Sequence, residues 1–87
     1  MKKFALLLSL VSICIYLQIK GIVLDKSNKP IPYVNIWVEN ENIGTTSEEN
    51  GSFSIHVEDQ NKVLIFSALG FETKKVAVSD TEQVVLK

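Results

Sequence analysis

The 87 residues predict a small all-β protein, an antiparallel two-sheet sandwich of about seven strands behind an N-terminal signal helix. Three observations carry that reading. After Gln18, apolar and polar residues alternate with a period of two in short runs, as half-buried strands require. Clusters of Asp, Asn, Ser, Gly and Pro punctuate those runs. Ahead of Gln18 the pattern is different, a nearly unbroken apolar block with two lysines in front of it.

That block is the first element. Met1-Lys2-Lys3 is a short positive region, and Phe4 to Leu17 then runs apolar for 14 residues, interrupted only by Ser9 and Ser12. A membrane-spanning helix needs ~20 apolar residues, so the run has the length of a secretory signal core rather than a span. Residues 1–18 are therefore read as a leader that directs export; the competing reading is a hydrophobic helix packed against the body. Ile15 and Leu17 stand where a cut before Gln18 would want small residues, and Ile13 stands where lipid attachment at Cys14 would want one. The cleavage point is therefore left open.

The body, residues 19–87, follows as strands and turns. Ile19 to Leu24 is a β-branched-rich strand closed by Asp25-Lys26-Ser27-Asn28-Lys29-Pro30. Pro32 cannot donate to a ladder, so the next strand is placed at Tyr33 to Val38, with Val34, Ile36 and Val38 inward and Tyr33, Asn35 and Trp37 outward. Ile43 to Ser47 is a short strand leading to Glu48-Glu49-Asn50-Gly51, where Asn-Gly suits the positive φ values of a tight hairpin turn. Ser52 to Val57 alternates cleanly, with Phe53, Ile55 and Val57 inward. Val63 to Ser67 is a strand, and Leu69-Gly70 turns the chain into Phe71 to Val78. That last run changes phase between Thr73 and Val76, which predicts a bulge near Lys74-Lys75. Gln83 to Leu86 closes the sheet. The expected core is Val34, Ile36, Phe53, Ile55, Leu64, Phe66 and Phe71.

Composition narrows the function. The chain holds nine Lys, no Arg and ten acidic residues, and without residues 1–18 the balance is 7 − 10 = −3. A mildly acidic body without Arg does not suit nucleic acid, which is gripped by dense basic patches. A single Cys excludes a disulfide within the chain, and a single His leaves zinc without a ligand set. His56 falls on an outward parity and reads as solvated surface. Glu48, Glu49, Glu58 and Asp59 would serve calcium only if their loops met, and they lack the spacing of a calcium loop. Asn50-Gly51-Ser52 matches a glycosylation sequon, but the turn explains those residues by itself. No Gly-x-Ser-x-Gly elbow is present. No catalytic residue, cofactor site or metal site is expected.

Four segments, in order, bring a resemblance into view. They are Gly21-Ile22-Val23-Leu24-Asp25, Lys29-Pro30-Ile31-Pro32-Tyr33-Val34-Asn35-Ile36, Gly44-Thr45-Thr46-Ser47-Glu48-Glu49-Asn50-Gly51-Ser52-Phe53, and Leu64-Ile65-Phe66-Ser67-Ala68-Leu69-Gly70-Phe71. Together they resemble the carboxypeptidase regulatory-like domain, a small transthyretin-like β-sandwich, over nearly all of residues 19–87. Ser47 and Glu48 depart from the Thr-Asp that the family carries there. The resemblance implies a non-catalytic module, as found at the N-terminus of TonB-dependent outer-membrane receptors, facing the periplasm. Plug, barrel and peptidase segments are not among these residues, so neither transport nor hydrolysis is expected of them.

One surface feature stands out. Tyr33 and Trp37 lie ~13 Å apart along one strand, on the parity opposite Val34 and Ile36. Ile22, Leu24, Val63 and Ile65 also fall opposite the core parity. If these six shared a sheet, its outer face would be too apolar for water and would serve as an interaction face for a protein partner at the cell envelope. Tyr33 and Trp37 are then expected to be substantially exposed. Scattered exposed apolar residues, or a wider core, would explain the same pattern without a partner. The rival functional reading is a stand-alone carbohydrate- or peptide-binding module, with Asn35 beside the aromatic rings.

Overall fold

A computed structural model describes Leu17 to Lys87. The expected signal helix lies outside the described residues, apart from Leu17 and Gln18, which belong to the first strand. The strands are β1 (Leu17–Leu24), β2 (Asn35–Val38), β3 (Gly44–Thr46), β4 (Ser52–Val57), β5 (Val63–Ser67), β6 (Lys74–Ala77) and β7 (Gln83–Val85), with one turn of 3-10 helix at Val78–Asp80. They form two sheets, ordered β4-β1-β7 and β3-β2-β5-β6.

Alternation produces the core. Val23, Phe53, Ile55, Val57 and Val84 from the three-stranded sheet meet Ile36, Val38, Leu64 and Phe66 from the four-stranded sheet. Phe53 and Phe66 join the two layers through an edge-to-face contact, with ring centroids 5.4 Å apart and planes at 75°. Ile31 and Val34 close the core from the connection before β2. Of the seven expected core residues, Val34, Ile36, Phe53, Ile55, Leu64 and Phe66 are buried, whereas Phe71 is only half-buried at the rim.

The position of Phe71 corrects the expected bulge. The β5–β6 register runs without interruption from Val63 opposite Ala77 to Phe66 opposite Lys74. Phe71 precedes β6, in a turn closed by its N–H donating to the Ala68 carbonyl at 3.0 Å. The phase change thus separates a turn from a strand, and no extra residue is needed.

The sandwich is not wholly antiparallel. β7 runs parallel to β1, with Ile22, Val23 and Leu24 opposite Gln83, Val84 and Val85. Parallel neighbours require a long crossover, and here the whole chain from β2 to the 3-10 turn intervenes. That turn, held by Thr81 Oγ1 donating to the Val78 carbonyl at 2.9 Å, brings the chain from one sheet to the other. At the open side Lys74 Nζ donates to the Val85 carbonyl at 3.0 Å, tying β6 to the edge of the opposite sheet.

The second strand starts later than expected. Tyr33 has φ 60°, a left-handed conformation rare for a bulky residue, and regular pairing begins only at Asn35. Ser47 holds this segment. Its N–H and carbonyl bond the Val34 carbonyl and the Tyr33 N–H, at 3.0 and 2.9 Å. Its buried hydroxyl accepts from the Val34 N–H and donates to the Ile31 carbonyl, both at 2.8 Å.

Glu48 to Gly51 also departs from the expected hairpin. Gly51 has φ 82°, but Asn50 is not in the left-handed region. The Gly51 N–H donates to the Glu48 carbonyl at 2.8 Å, and Asn50 Oδ1 accepts from the Ser52 N–H at 3.0 Å. This turn links β3 and β4, which lie in different sheets. The Asn side chain here anchors a turn that crosses the sandwich, instead of supplying a second positive φ.

Candidate interaction surface

The register divides the six expected face residues. On the four-stranded sheet, Trp37 lies opposite Ile65 across β2–β5, and Val63 follows two residues from Ile65 on the same face. Ile22 and Leu24 belong to β1 in the other sheet, where they lie opposite Gln83 and Val85 and face away from the core. The structure therefore brings Trp37, Ile65 and Val63 together and places Ile22 and Leu24 on the far side of the sandwich. Parity assigns a side chain to a face, not to a sheet.

Exposure separates them further. Tyr33 is 65% exposed, whereas Trp37 is half-buried, which corrects the expectation that both aromatics stand free. Leu24 and Ile65 are 6% and 9% exposed, although neither belongs to the main core cluster. Ile65 lies between Trp37 on β2 and Lys75 on β6. Lys75 Nζ reaches Glu39 at 2.7 Å, so an ion pair runs from β6 across β5 to the end of β2. Ile65 is thus flanked on its own face by Trp37 on one side and by Lys75 on the other. Leu24 lies under the Asp25–Pro30 loop, which returns to it through a bridge at Pro30. Asp25 Oδ1 folds that loop by accepting from the Ser27 and Lys29 N–H groups at 2.8 and 3.0 Å. Of the six, Leu24 and Ile65 are thus withdrawn from solvent, Ile22, Val63 and Trp37 are partly exposed, and Tyr33 stands free.

A different apolar surface appears at one end of the four-stranded sheet. Tyr33 and Leu69 are the exposed large hydrophobic residues among those described, and Leu69 is fully exposed. Asn35 pairs with Ser67, so Tyr33 just before β2 and Leu69 just after β5 leave the same end of the sheet. Leu69 sits at the apex of the Ala68–Phe71 turn, beside Gly70 at φ 90°, and a Cβ on Gly70 would meet nothing within 4 Å. The Tyr33 hydroxyl points to Glu49 Oε2 at 3.5 Å, and Glu48 beside it is also exposed. Reading Leu69-Gly70 as a turn concealed this residue; the signal available was a leucine directly before a glycine that takes the third turn position.

His56 is exposed on the outer face of β4. Among the described residues no three His, Cys, Asp or Glu side chains gather as metal ligands. Glu58 shares Lys62 with Glu41. The hydrogen bond and charge of Glu41 hold the Lys62 ammonium above its ordinary pKa of 10.5.

The fold motifs are tightly built. A Cβ on Gly21 would lie 1.9 Å from the Thr81 carbonyl oxygen and within 3 Å of the Phe53 ring. One on Gly51 would lie 2.7 Å from the Val23 carbonyl oxygen. The family model described as a CarboxypepD_reg-like domain matches residues 19–87. The chain belongs to that family. Its motif glycines serve close backbone approach and turn geometry, which is a structural role.

Two TonB-dependent receptors illustrate the relatives of this CarboxypepD_reg-like domain. TonB-dependent receptor P3 of Formosa agariphila is 44% identical over 48 residues, covering 55% of this chain and 5% of the receptor. TonB-dependent receptor SusC of Bacteroides thetaiotaomicron is 27% identical over 71 residues, covering 82% of this chain and 7% of the receptor. The chain therefore corresponds to a small fraction of each relative's length.

Proposed function

We propose that this CarboxypepD_reg-like domain is a non-catalytic interaction module of the cell envelope, exported behind residues 1–18. In this reading it works in the periplasm or at the outer membrane, in the setting of a TonB-dependent receptor, and it docks a protein partner. The docking surface is the end of the four-stranded sheet that carries Tyr33 and Leu69. One observation carries this choice: the two exposed large apolar side chains of the described residues leave the same end of one sheet. Tyr33 presents a rigid amphipathic ring from a backbone locked by Ser47, so little conformational entropy is lost when a partner covers it. Glu48 and Glu49 rim the aromatic side, which suits a partner with a basic border.

Site-specific photocrosslinking in a bacterium expressing the full chain tests this reading. A photoreactive residue at Leu69 should give a discrete adduct with an envelope protein, identified by mass spectrometry. The same residue at His56, on the outer face of the other sheet, should give none. Absence of an adduct from position 69, or the same adducts from both positions, would overturn the end-on docking surface. Cell fractionation tests export separately: a full-length chain that stays in the cytoplasm defeats the envelope assignment.

A further inference from the structure

Asn50 and Gly51 are the chain's single Asn-Gly pair. Glycine has no Cβ to crowd its nitrogen, so here a backbone nitrogen meets the least obstruction in reaching the side-chain amide before it. The reaction open to such a pair is deamidation. The Gly51 nitrogen loses its proton to solvent base and bonds to Asn50 Cγ, the Cγ–Nδ2 bond breaks, and ammonia leaves. One water then opens the five-membered succinimide, at Cγ to give aspartate or at the backbone carbonyl to give isoaspartate. Asn50 is exposed, so burial does not shield its amide from water and base. Both reacting groups are nevertheless tied down by the turn between β3 and β4. From those ties we infer that Asn50 is a spontaneous deamidation site held shut by the fold, inert in the closed turn and converted to aspartate or isoaspartate once that turn opens.

The nucleophile is pinned on both sides of its residue. The Gly51 N–H donates to the Glu48 carbonyl at 2.8 Å, so removing its proton also costs a backbone hydrogen bond. The Gly51 carbonyl accepts from the Val23 N–H at 2.8 Å, and the residue is buried, its α-carbon facing the Val23 carbonyl oxygen and the Pro30 ring. Gly51 therefore cannot swing towards Cγ without leaving β1. The electrophile is held as well. Asn50 Oδ1 accepts from the Ser52 N–H at 3.0 Å and from the Ser52 hydroxyl at 2.6 Å, so the amide is oriented towards β4 by two donors of one residue. Attack needs a specific approach of nitrogen to carbon, and a turn fixed at both groups withholds it. The products do not fit the same turn. Either one adds a carboxylate beside the exposed Glu48 and Glu49. Isoaspartate also lengthens the main chain by one carbon, so the Glu48 and Val23 bonds to Gly51 no longer match its reach. A copy that has reacted folds less stably, and the change records that its turn once opened.

The test incubates the full chain in mildly alkaline buffer, folded and in unfolding guanidinium, beside a free peptide spanning Ser47 to Ile55 in each solvent. Peptide mapping by mass spectrometry follows the conversion of Asn50, and an isoaspartate-specific methyltransferase assay identifies the product. The folded chain should react at least about tenfold more slowly than the peptide, and the unfolded chain at the peptide's rate. Ser52→Ala removes one of the two donors to Oδ1. It should speed the folded-state reaction at least about threefold, beyond what any change in its unfolding midpoint accounts for, while leaving the unfolded rate unchanged. Ser52→Thr keeps the hydroxyl and should keep the protection. If Ser52→Ala fails to fold, the folded and unfolded parent decide. Chain that has formed isoaspartate, separated by ion exchange, should unfold at a lower urea midpoint than its parent. A folded chain that reacts as fast as the peptide, a folded Ser52→Ala chain that reacts at the parent's rate or more slowly, or an isoaspartate chain with the parent's midpoint would each overturn the inference.

Discussion

Two turns of this small sandwich use the same local device and do different things with it. The Glu48–Gly51 turn and the Ala68–Phe71 turn each place a glycine at positive φ, 82° at Gly51 and 90° at Gly70. Gly51 is buried, against the Val23 carbonyl oxygen and the Pro30 ring, so that turn is part of the packed body. Gly70 has open space where a side chain would stand, and its neighbour Leu69 is fully exposed. A glycine at positive φ therefore marks a turn without saying whether that turn is packed or presented. The surroundings decide, and they separate a structural turn from one free to meet a partner.

Breaking the packed turn should have the largest effect. Gly51→Ala adds left-handed strain to a Cβ 2.7 Å from a backbone carbonyl oxygen that cannot swing aside. The expected loss is about 2–4 kcal/mol, read as a lower midpoint in urea unfolding. A loss below about 1 kcal/mol would mean that the turn relaxes away from the body, and the contrast with Gly70 would collapse.

Ser47→Ala comes next. The hydroxyl is 1% exposed and serves two backbone groups at once, so its loss leaves the Val34 N–H and the Ile31 carbonyl without that partner. The expected cost is about 1–3 kcal/mol. Ser47→Thr keeps the hydroxyl, and should recover most of that stability if the bonding is what matters. A Thr variant no better than Ala would assign the role to side-chain volume instead.

Much of this was legible in the sequence, and the misses have physical reasons. Of the seven core residues expected from period-two alternation, six are buried, because a strand with one buried face must alternate. Phe71 failed because the local pattern continued a strand into what is a turn. Ile22 and Leu24 were grouped with Trp37 because parity is a local property, whereas sheet membership depends on contacts between distant segments. The direction of β7 was hidden for the same reason: three residues carry no orientation signal, and pairing with β1 sets it. The left-handed Tyr33 follows from the Ser47 bonds, fourteen residues further along the chain, and no local rule predicts it.

Gly70→Ala sharpens the comparison from the other side. The positive φ remains, but the added methyl meets nothing within 4 Å. Only the conformational penalty should appear, about 1–2 kcal/mol, and the loss should be smaller than that of Gly51→Ala in the same urea series. A loss equal to or larger than that of Gly51→Ala would show that the presented turn is as constrained as the packed one.

The smallest effect on folding is expected from Leu69→Ala. A fully exposed side chain buries no apolar area on folding, so truncating it removes no transfer free energy and leaves no cavity. Stability should stay within about 0.5 kcal/mol of the parent. That near-neutrality is informative because a partner that covers Leu69 would supply the burial the fold does not. Leu69→Ala should therefore weaken partner capture while the urea midpoint stays in place, as expected of a contact residue with no structural duty. Urea unfolding and capture of the crosslinked envelope protein, measured on the same variant, test both halves together. A clear loss of stability would place Leu69 in the packed body and erase the difference between the two turns.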